Sequence, residues 1–501
     1  MKLYKWQKKA IGKMATTTCN NIILSAPTGA GKTRVFLTFW EEVLRKKGYK
    51  LIITSPVKSL SNQRYRELKE NYVTAIETGD VRNIPSNWEV LVCTQEIYTN
   101  KYLDMKKIYL VMDEFHYINE NQDRARTYIE SLYRSKAEYM LLCSATLGDM
   151  SVLQNYVEKV SGRNFFTLEY NSRPTKLLYS SKKMQYSDIK NALVITFSYN
   201  NCTDIANIIA HYRENHSVDK KKIENIRKEF NIDNRELLSY VEKGVAFYVG
   251  RMLPKEKLFV EKLFSEKIID TVVGTDALSL GVNFPAKYVI FAQLEKYYDG
   301  LITRNLFEQI SGRAGRKNYY NKGYIAILED DSFESRSSYL EDNYHNLLNK
   351  KRENLDISLG VNYGNIFKNK GGILTEAFFV SKFSQKDISF EEIRREITYN
   401  VNETNLLISY FTKKIPFFSK YFKENYFDEY SISKNMEYLV RIIIGEFEEL
   451  LGEIESFYEL LQFRKYCKQL TKNFRKKFAV NLQILEEYIS EIDETAISLV
   501  S

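Results

Sequence analysis

Ser25-Ala26-Pro27-Thr28-Gly29-Ala30-Gly31-Lys32-Thr33 follows the apolar run Ile22-Ile23-Leu24 and precedes Val35 to Leu44, whose spacing predicts a helix. The stretch fits the phosphate-cradling pattern G-x-x-x-x-G-K-[ST] except at its first position, where Ala26 stands. Small residues let backbone N–H groups close around anionic oxygens, a lysine neutralises them, and a hydroxyl holds Mg²⁺. Thr28, Gly29, Ala30, Gly31, Lys32 and Thr33 are therefore the candidate nucleotide-binding residues, with Thr33 a magnesium ligand. A strand before the loop and a helix after it place the phosphates at a helix N-terminus.

Outward from that loop, short apolar runs alternate with helical stretches up to about Leu168, the signature of a parallel, doubly wound sheet. Strands are expected at Ile22–Leu24, Leu51–Ile53, Val90–Cys93, Tyr109–Met112 and Met140–Cys143. A second series follows at Leu193–Phe197, Val245–Tyr248, Ile269–Val273, Tyr288–Phe291 and Tyr324–Leu328. Asn171 to Ser181, carrying Arg173-Pro174, reads as the linker between the lobes. The expected architecture is α/β: a first lobe over 1–170, a second over 171–330 and a helical C-terminal domain over 331–501. In the last, Phe463, Cys467, Leu470, Phe474 and Phe478 share one helical face, and Arg464, Lys465, Lys468, Lys472, Arg475, Lys476 and Lys477 cover much of the rest. That pattern suits either a core helix with a solvated basic face or a helix facing nucleic acid.

The totals narrow the class. Among 501 residues, 44% are hydrophobic and 27% charged, and no apolar run approaches the length of about 18 residues that a membrane span needs. The N-terminus lacks an apolar signal core, so a cytoplasmic protein is expected. Five scattered cysteines form no C-x-x-C pair, against a disulfide framework or zinc site. His116, His211, His216 and His345 show no metal spacing. Lys plus Arg at 73 against Asp plus Glu at 64 gives +9, which suits a polyanionic partner.

Tyr109-Leu110-Val111-Met112-Asp113-Glu114-Phe115-His116 is an apolar strand ending in two carboxylates and an imidazole, at the edge where open α/β sheets bind ligands. There Asp113 can hold the Mg²⁺ shell while Glu114 polarises the attacking water.

With these residues in place, the chain resembles the DExH helicases of superfamily 2, and most closely the Ski-like group, over about residues 4–328. The resemblance implies two tandem RecA-like domains and ATP with Mg²⁺ as cofactors. Tyr4-Lys5-Trp6-Gln7 is similar to the adenine-reading motif, implying that Gln7 selects ATP. Ser55 to Gln63, Thr78-Gly79-Asp80 and Cys93-Thr94-Gln95-Glu96 resemble the motifs that grip a nucleic-acid backbone, implicating Pro56, Lys58, Ser59, Gln63, Thr78, Gly79 and Thr94. Ser144-Ala145-Thr146 resembles the motif coupling ATP state to that grip, with His116 coupled to Gln309.

Gly274 to Ala286 is the longest match; it assigns Thr275 and Asn283 to nucleic acid and Asp276 and Gly281 to the nucleotide. Gln309-Ile310-Ser311-Gly312-Arg313-Ala314-Gly315-Arg316 gives the arginine motif, in which Arg313 and Arg316 reach the γ-phosphate, Arg316 being the favoured finger. Two departures stand out: Ala246-Phe247-Tyr248-Val249-Gly250 replaces a His-His-Ala-Gly run, and the usual D-x-x-R-G becomes Asp123-Arg124-Ala125-Arg126.

Between the last two motifs, Asp299-Gly300 signals a two-residue hairpin. By resemblance it separates strands through Tyr297, Tyr298 and Leu301; an ordinary surface turn fits equally. The function expected is an ATP-dependent helicase or translocase moving 3′ to 5′ on single-stranded nucleic acid or a tailed duplex, DNA slightly ahead of RNA, with an effector or nuclease subunit as companion. The other reading is an ATPase sensor or clamp that switches a partner without unwinding.

Overall fold

The computed structural model describes residues 3–393 except 120–121, 172, 181, 214–217, 280–283, 285, 298, 316–318, 335–338, 360–371, 386–387 and 390–391. Gly281, Asn283, Tyr298, Arg316, His216 and the basic helix around Cys467 lie outside the described residues.

The first lobe strands are β1 (Asn21–Ser25), β2 (Lys50–Ser55), β3 (Thr74–Glu77), β4 (Arg82–Asn83), β5 (Val90–Thr94), β6 (Ile108–Asp113), β7 (Tyr139–Ser144) and β8 (Phe166–Glu169). They lie in the order β4-β3-β5-β2-β6-β7-β1-β8, parallel apart from the β3–β4 pair. Helices α1 (Lys5–Thr16), α2 (Lys32–Phe39), α3 (Lys58–Leu68), α4 (Gln95–Lys101), α5 (Gln122–Arg134) and α6 (Met150–Ser161) connect them. Ile23, Ile52, Leu91, Leu110 and Leu142 pack on one face, and Ile22, Leu24, Ile53, Val92 and Val111 on the other. Layers on both faces explain why these strands read as unbroken apolar runs. Cys93 and Cys143 belong to those strands, and burial pushes both thiols up.

The second lobe repeats the plan with β9 (Lys176–Tyr179), β10 (Ala192–Ile195), β11 (Val245–Tyr248), β12 (Thr271–Gly274), β13 (Tyr288–Phe291) and a later strand, Lys322–Ile327. The all-parallel order is β11-β12-β10-β13, then Lys322–Ile327, then β9. Around it pack α7 (Tyr199–His211), α8 (Lys220–Phe230), α9 (Arg235–Val241), α10 (Pro254–Ser265), α11 (Arg304–Ser311) and α12 (Leu340–Asn349). A small antiparallel ribbon, β14 (Glu295–Lys296) and β15 (Gly300–Leu301), projects after β13, and Lys322–Ile327 is accordingly β16.

Several elements differ from expectation. Part of the 171–181 linker is β9, an edge strand paired with β16, so its Leu177 packs on the second-lobe core. β3 has no alternation to betray it, because all four of its residues are buried. Val35–Leu44 is α2 continued by a wide π turn over Trp40–Leu44, where the Trp40 indole N–H donates to the Tyr49 carbonyl at 2.8 Å. The ribbon closes on the three residues 297–299, with Lys296 opposite Gly300. Gly300, the first residue of β15, takes φ +69, a conformation that glycine adopts without strain.

Beyond β16 the chain returns to both lobes. Leu340, Tyr344 and Leu347 of α12 join the second core; Leu355, Ile357 and Leu359 join the first, with Ala377, Val380 and Phe383 of the helix Gly372–Phe383. Arg126 of α5 forms a buried pair with Glu376, Nη2 to Oε2 at 2.9 Å, and lies over the Phe379 ring. The arginine in the divergent Asp123-Arg124-Ala125-Arg126 run thus anchors the returning helix.

Candidate nucleotide and nucleic-acid site

Parallel register gathers the chemistry at one sheet edge. Ser25 pairs with Ser144, Asp113 with Cys143 and Ser55 with Thr94, so the segments that follow β1, β7, β6, β2 and β5 all leave side by side. The Ala26 N–H donates to the Ser144 carbonyl at 3.1 Å, tying the phosphate loop to the Ser-Ala-Thr turn. Gly29 and Gly31 take φ +77 and +91 and need glycine, whereas Ala26 is outside the positive-φ positions and tolerates a side chain.

Lys32 is buried at the start of α2, its Nζ 2.9 Å from the Ala26 carbonyl within the loop that it closes. Gln7 on α1 accepts from the Tyr4 N–H at 2.9 Å and donates to the Gly31 carbonyl at 3.0 Å, so the glutamine is oriented by the loop itself.

Asp113 is buried and meets Arg64 of α3, Oδ2 to Nη2 at 3.0 Å. Burial pushes its carboxyl up, against the pull of the Arg64 guanidinium. Arg64 follows Gln63 directly and also binds Glu67 at 3.0 Å. The sequence reading passed it over, because its partner lies 49 residues away and only the fold brings them together.

Glu114 adopts φ +53, a strained backbone for a residue with a side chain, as happens where function fixes geometry. His116 Nδ1 lies 3.5 Å from Glu114 Oε2 and 2.7 Å from Ser144 Oγ. Burial, helped by Lys32, lowers the imidazole to about 3, so it is neutral.

The second lobe meets these groups across the cleft. Gln309 Nε2 donates to Thr146 Oγ1 at 2.8 Å. His116 therefore connects towards Gln309 through the Ser144-Ala145-Thr146 turn. Arg313 is buried, which draws its guanidinium down, while the Glu114 carboxylate opposes that shift. Gly312 sits against Thr28, where a Cβ would come within 2.6 Å of the threonine Cβ.

The other candidates lie in both lobes. Lys58 pairs with Asp80 at 3.0 Å beside Gly79, Thr78 Oγ1 accepts from Val81 N–H at 3.2 Å, and Thr94 begins α4. Ser59 is exposed and Gln63 binds Glu67 at 2.8 Å. The Pro56 carbonyl receives Arg124. Thr275 Oγ1 accepts from Ala277 N–H at 3.3 Å. Asp276 is paired with Lys296 of the ribbon at 2.8 Å. Tyr297 is 90% exposed at the ribbon tip, whereas Leu301 packs on the second core.

Among the described residues no cluster of three or more His, Cys, Asp or Glu side chains could hold a metal alone. A hydroxyl at Thr33 and a carboxylate at Asp113 are hard oxygen donors of the kind Mg²⁺ takes together with phosphates, so the chemistry of the residues present fits that ion. Among the described residues no helix is long and apolar enough to cross a membrane.

A segment missed in the sequence ties the lobes beside this site. Glu353 accepts from the N–H groups of Arg304 and Asn305 at 2.9 and 3.1 Å, opening α11. The adjoining Asn354 accepts from the Asp149 N–H at 2.8 Å, just past the Ser-Ala-Thr turn.

Comparison with known proteins agrees with this geometry. Residues 4–154 match the DEAD/DEAH box helicase family model and residues 189–318 the helicase conserved C-terminal domain, together more than half of the chain. The chain is 26% identical over 399 residues to the DExH-box ATP-dependent RNA helicase DExH9 of Arabidopsis thaliana, covering 63% of this chain and 40% of the relative. It is 25% identical over 391 residues to the exosome RNA helicase MTR4 of Homo sapiens, covering 62% and 37%. It is 24% identical over 377 residues to the ATP-dependent DNA helicase Hel308 of Thermoplasma volcanium, covering 68% and 55%. The chain thus spans about two fifths of the first two relatives and about half of the third. With RNA and DNA helicases both among them, the expected lean towards DNA has no support. The two matched domains and the two parallel-sheet lobes, together with the DExH-box relatives, place this chain in superfamily 2, as a DExH-box helicase of the Ski-like group.

Proposed function

We propose that the chain is an ATP-dependent helicase that moves 3′ to 5′ on a single strand of nucleic acid and displaces the complementary strand. The reading is carried by one observation: the arginine-bearing turn of the second lobe docks on the first lobe beside its phosphate loop, Gln309 bonding Thr146 and Gly312 lying against Thr28.

In this reading Lys32 and the N–H groups of Gly29 to Thr33 hold the phosphates, and Gln7 selects the adenine. Asp113 and Thr33 hold Mg²⁺, which when bound neutralises charge on the phosphoryl oxygens. Glu114 orients the attacking water and accepts its proton; the strained backbone fixes the direction of its carboxylate. Arg313 and Arg316 balance the charge that spreads over the transferred group. His116, Ser144, Thr146 and Gln309 pass the state of this site to the strand-gripping edge, where Pro56, Lys58, Ser59, Gln63, Thr78, Gly79, Thr94, Thr275 and Asn283 meet the backbone. Asp276 and Gly281 support the nucleotide side. The ribbon meets the duplex end through Tyr297 and Tyr298, and Leu301 anchors it to the core.

The test is ATP turnover by the purified protein with no polymer, single-stranded DNA, single-stranded RNA, and duplexes with 3′ or 5′ tails, with strand displacement followed on the tailed duplexes. Stimulation by a single strand with displacement from its 3′ tail is expected. Turnover with no displacement from any tailed duplex would overturn the reading.

A further inference from the structure

Arg173 is a half-buried cation between the lobes, two of its guanidinium nitrogens fully buried, with no anionic partner among the described residues. Its Nη2 donates to the carbonyls of Gly312 and Ala314 at 2.9 and 2.6 Å, on the second-lobe side. On the other side the guanidinium packs on Gly29 of the phosphate loop, where a Cβ would lie 3.2 Å from Nη2 and 3.5 Å from Nε. Nε and Nη1 are buried without a hydrogen-bond partner. Burial lowers the group to about 10, opposed by the Tyr179 phenol.

Carbonyl dipoles satisfy one nitrogen but do not neutralise the charge, and a buried guanidinium calls for an anion. The backbone that carries it is stiff, because Pro174 fixes its own φ and restricts the residue before it. The side chain is thus held at the seam between the phosphate loop and the arginine-bearing turn.

Building on the nucleotide site proposed above, we propose that Arg173 is a further phosphate-binding residue: it bridges Gly29 to the Gly312–Ala314 turn and takes its anion from the phosphoryl oxygens of the bound nucleotide. Closure of the cleft is then favoured by a polyphosphate and not by the protein alone, because the same cation lacks compensation until the phosphates arrive. The interlobe segment reports the occupancy of the site through this one side chain.

The experiment titrates the full chain with a non-hydrolysable ATP analogue and Mg²⁺, and separately with adenosine, and records melting without nucleotide. Proteins compared are the wild type, Arg173→Gln, Arg173→Lys and Lys32→Ala. Arg173→Gln is expected to weaken the triphosphate by about 10- to 100-fold, the range for a charge-assisted hydrogen bond, with adenosine affinity and nucleotide-free melting unchanged or melting raised. Arg173→Lys recovers part of the affinity, since it keeps the charge without the fork. Wild-type triphosphate affinity in Arg173→Gln, or lowered nucleotide-free melting with equal losses for adenosine and triphosphate, would reduce Arg173 to a structural clip. If Lys32→Ala loses affinity while Arg173→Gln keeps it, this assignment alone fails; if Lys32→Ala binds as the wild type does, the nucleotide site itself is misassigned.

Discussion

Gly315→Ala tests whether the arginine-bearing turn is positioned by its packing on the second sheet. Gly315 has φ +65, and its N–H donates to the Ala286 carbonyl at 2.9 Å. A Cβ there would come 2.5 Å from the Gly323 nitrogen and 2.7 Å from the Gly323 Cα in β16. The first distance is roughly 1 Å short of ordinary contact, and the obstacle is backbone that cannot rotate away. Left-handed φ costs a side chain about 1–2 kcal/mol, so with 1 kcal/mol worth about 2–4 °C the second lobe should melt about 2–8 °C lower.

The larger effect is geometric. Relief of the overlap shifts the turn that carries Arg313 by about 1 Å, a displacement that can cost on the order of 100-fold in a reaction held by orientation. Polymer-stimulated kcat should therefore fall at least about tenfold at temperatures where circular dichroism shows a folded protein. A lowered melting temperature with unchanged kcat would refute the reasoning, because the turn would then contribute stability without placing the arginine.

The acid itself is tested by Glu114→Gln, which should lower kcat by about 10²–10⁴-fold while nucleotide still binds, read by single-turnover ATPase and nucleotide titration; normal turnover would remove Glu114 from the chemistry. Thr146→Val and Gln309→Ala should be non-additive in kcat/KM by about 1 kcal/mol, close to fivefold, since both remove one 2.8 Å hydrogen bond; additive losses would mean that the bond carries no coupling. Glu376→Ala leaves Arg126 buried with Glu130 as its remaining carboxylate and should destabilise the first lobe by about 3–5 kcal/mol in urea unfolding, with much of the loss recovered by an apolar pair at both positions; a loss below about 1 kcal/mol would contradict the buried pair. His116 is held near 3 in the fold against an ordinary 6.5, so the unfolded chain takes up a proton that the folded one refuses. Its contribution is full above pH about 6.5 and lost as pH falls towards 3, and His116→Asn should flatten the melting-temperature profile in that window.

Much of the fold could be read from the chain because buried parallel strands write themselves as apolar runs. Ten strands stood within a residue or two of their expected places, and Lys32, Asp113 and Glu114 could be singled out as candidates because phosphate chemistry restricts residue types at short range, Arg313 by resemblance. β3 and β9 were not legible: one is short and wholly buried, the other an edge strand whose Arg173-Pro174 prelude reads as a loop.

The sequence by itself determined the two-lobe plan and singled out the candidates for cradling phosphate, polarising water and balancing charge, since each pattern depends on neighbours a few positions apart. Only the tertiary structure decided that Arg64 meets Asp113, that Arg126 anchors the helix Gly372–Phe383, that Glu353 and Asn354 tie α11 to the turn after Thr146, and that Arg173 lies between Gly29 and Gly312. Those contacts join residues 48 to 250 positions apart. Their energy comes from burial and from the pairing of desolvated charges, and neither has a period or spacing along the chain.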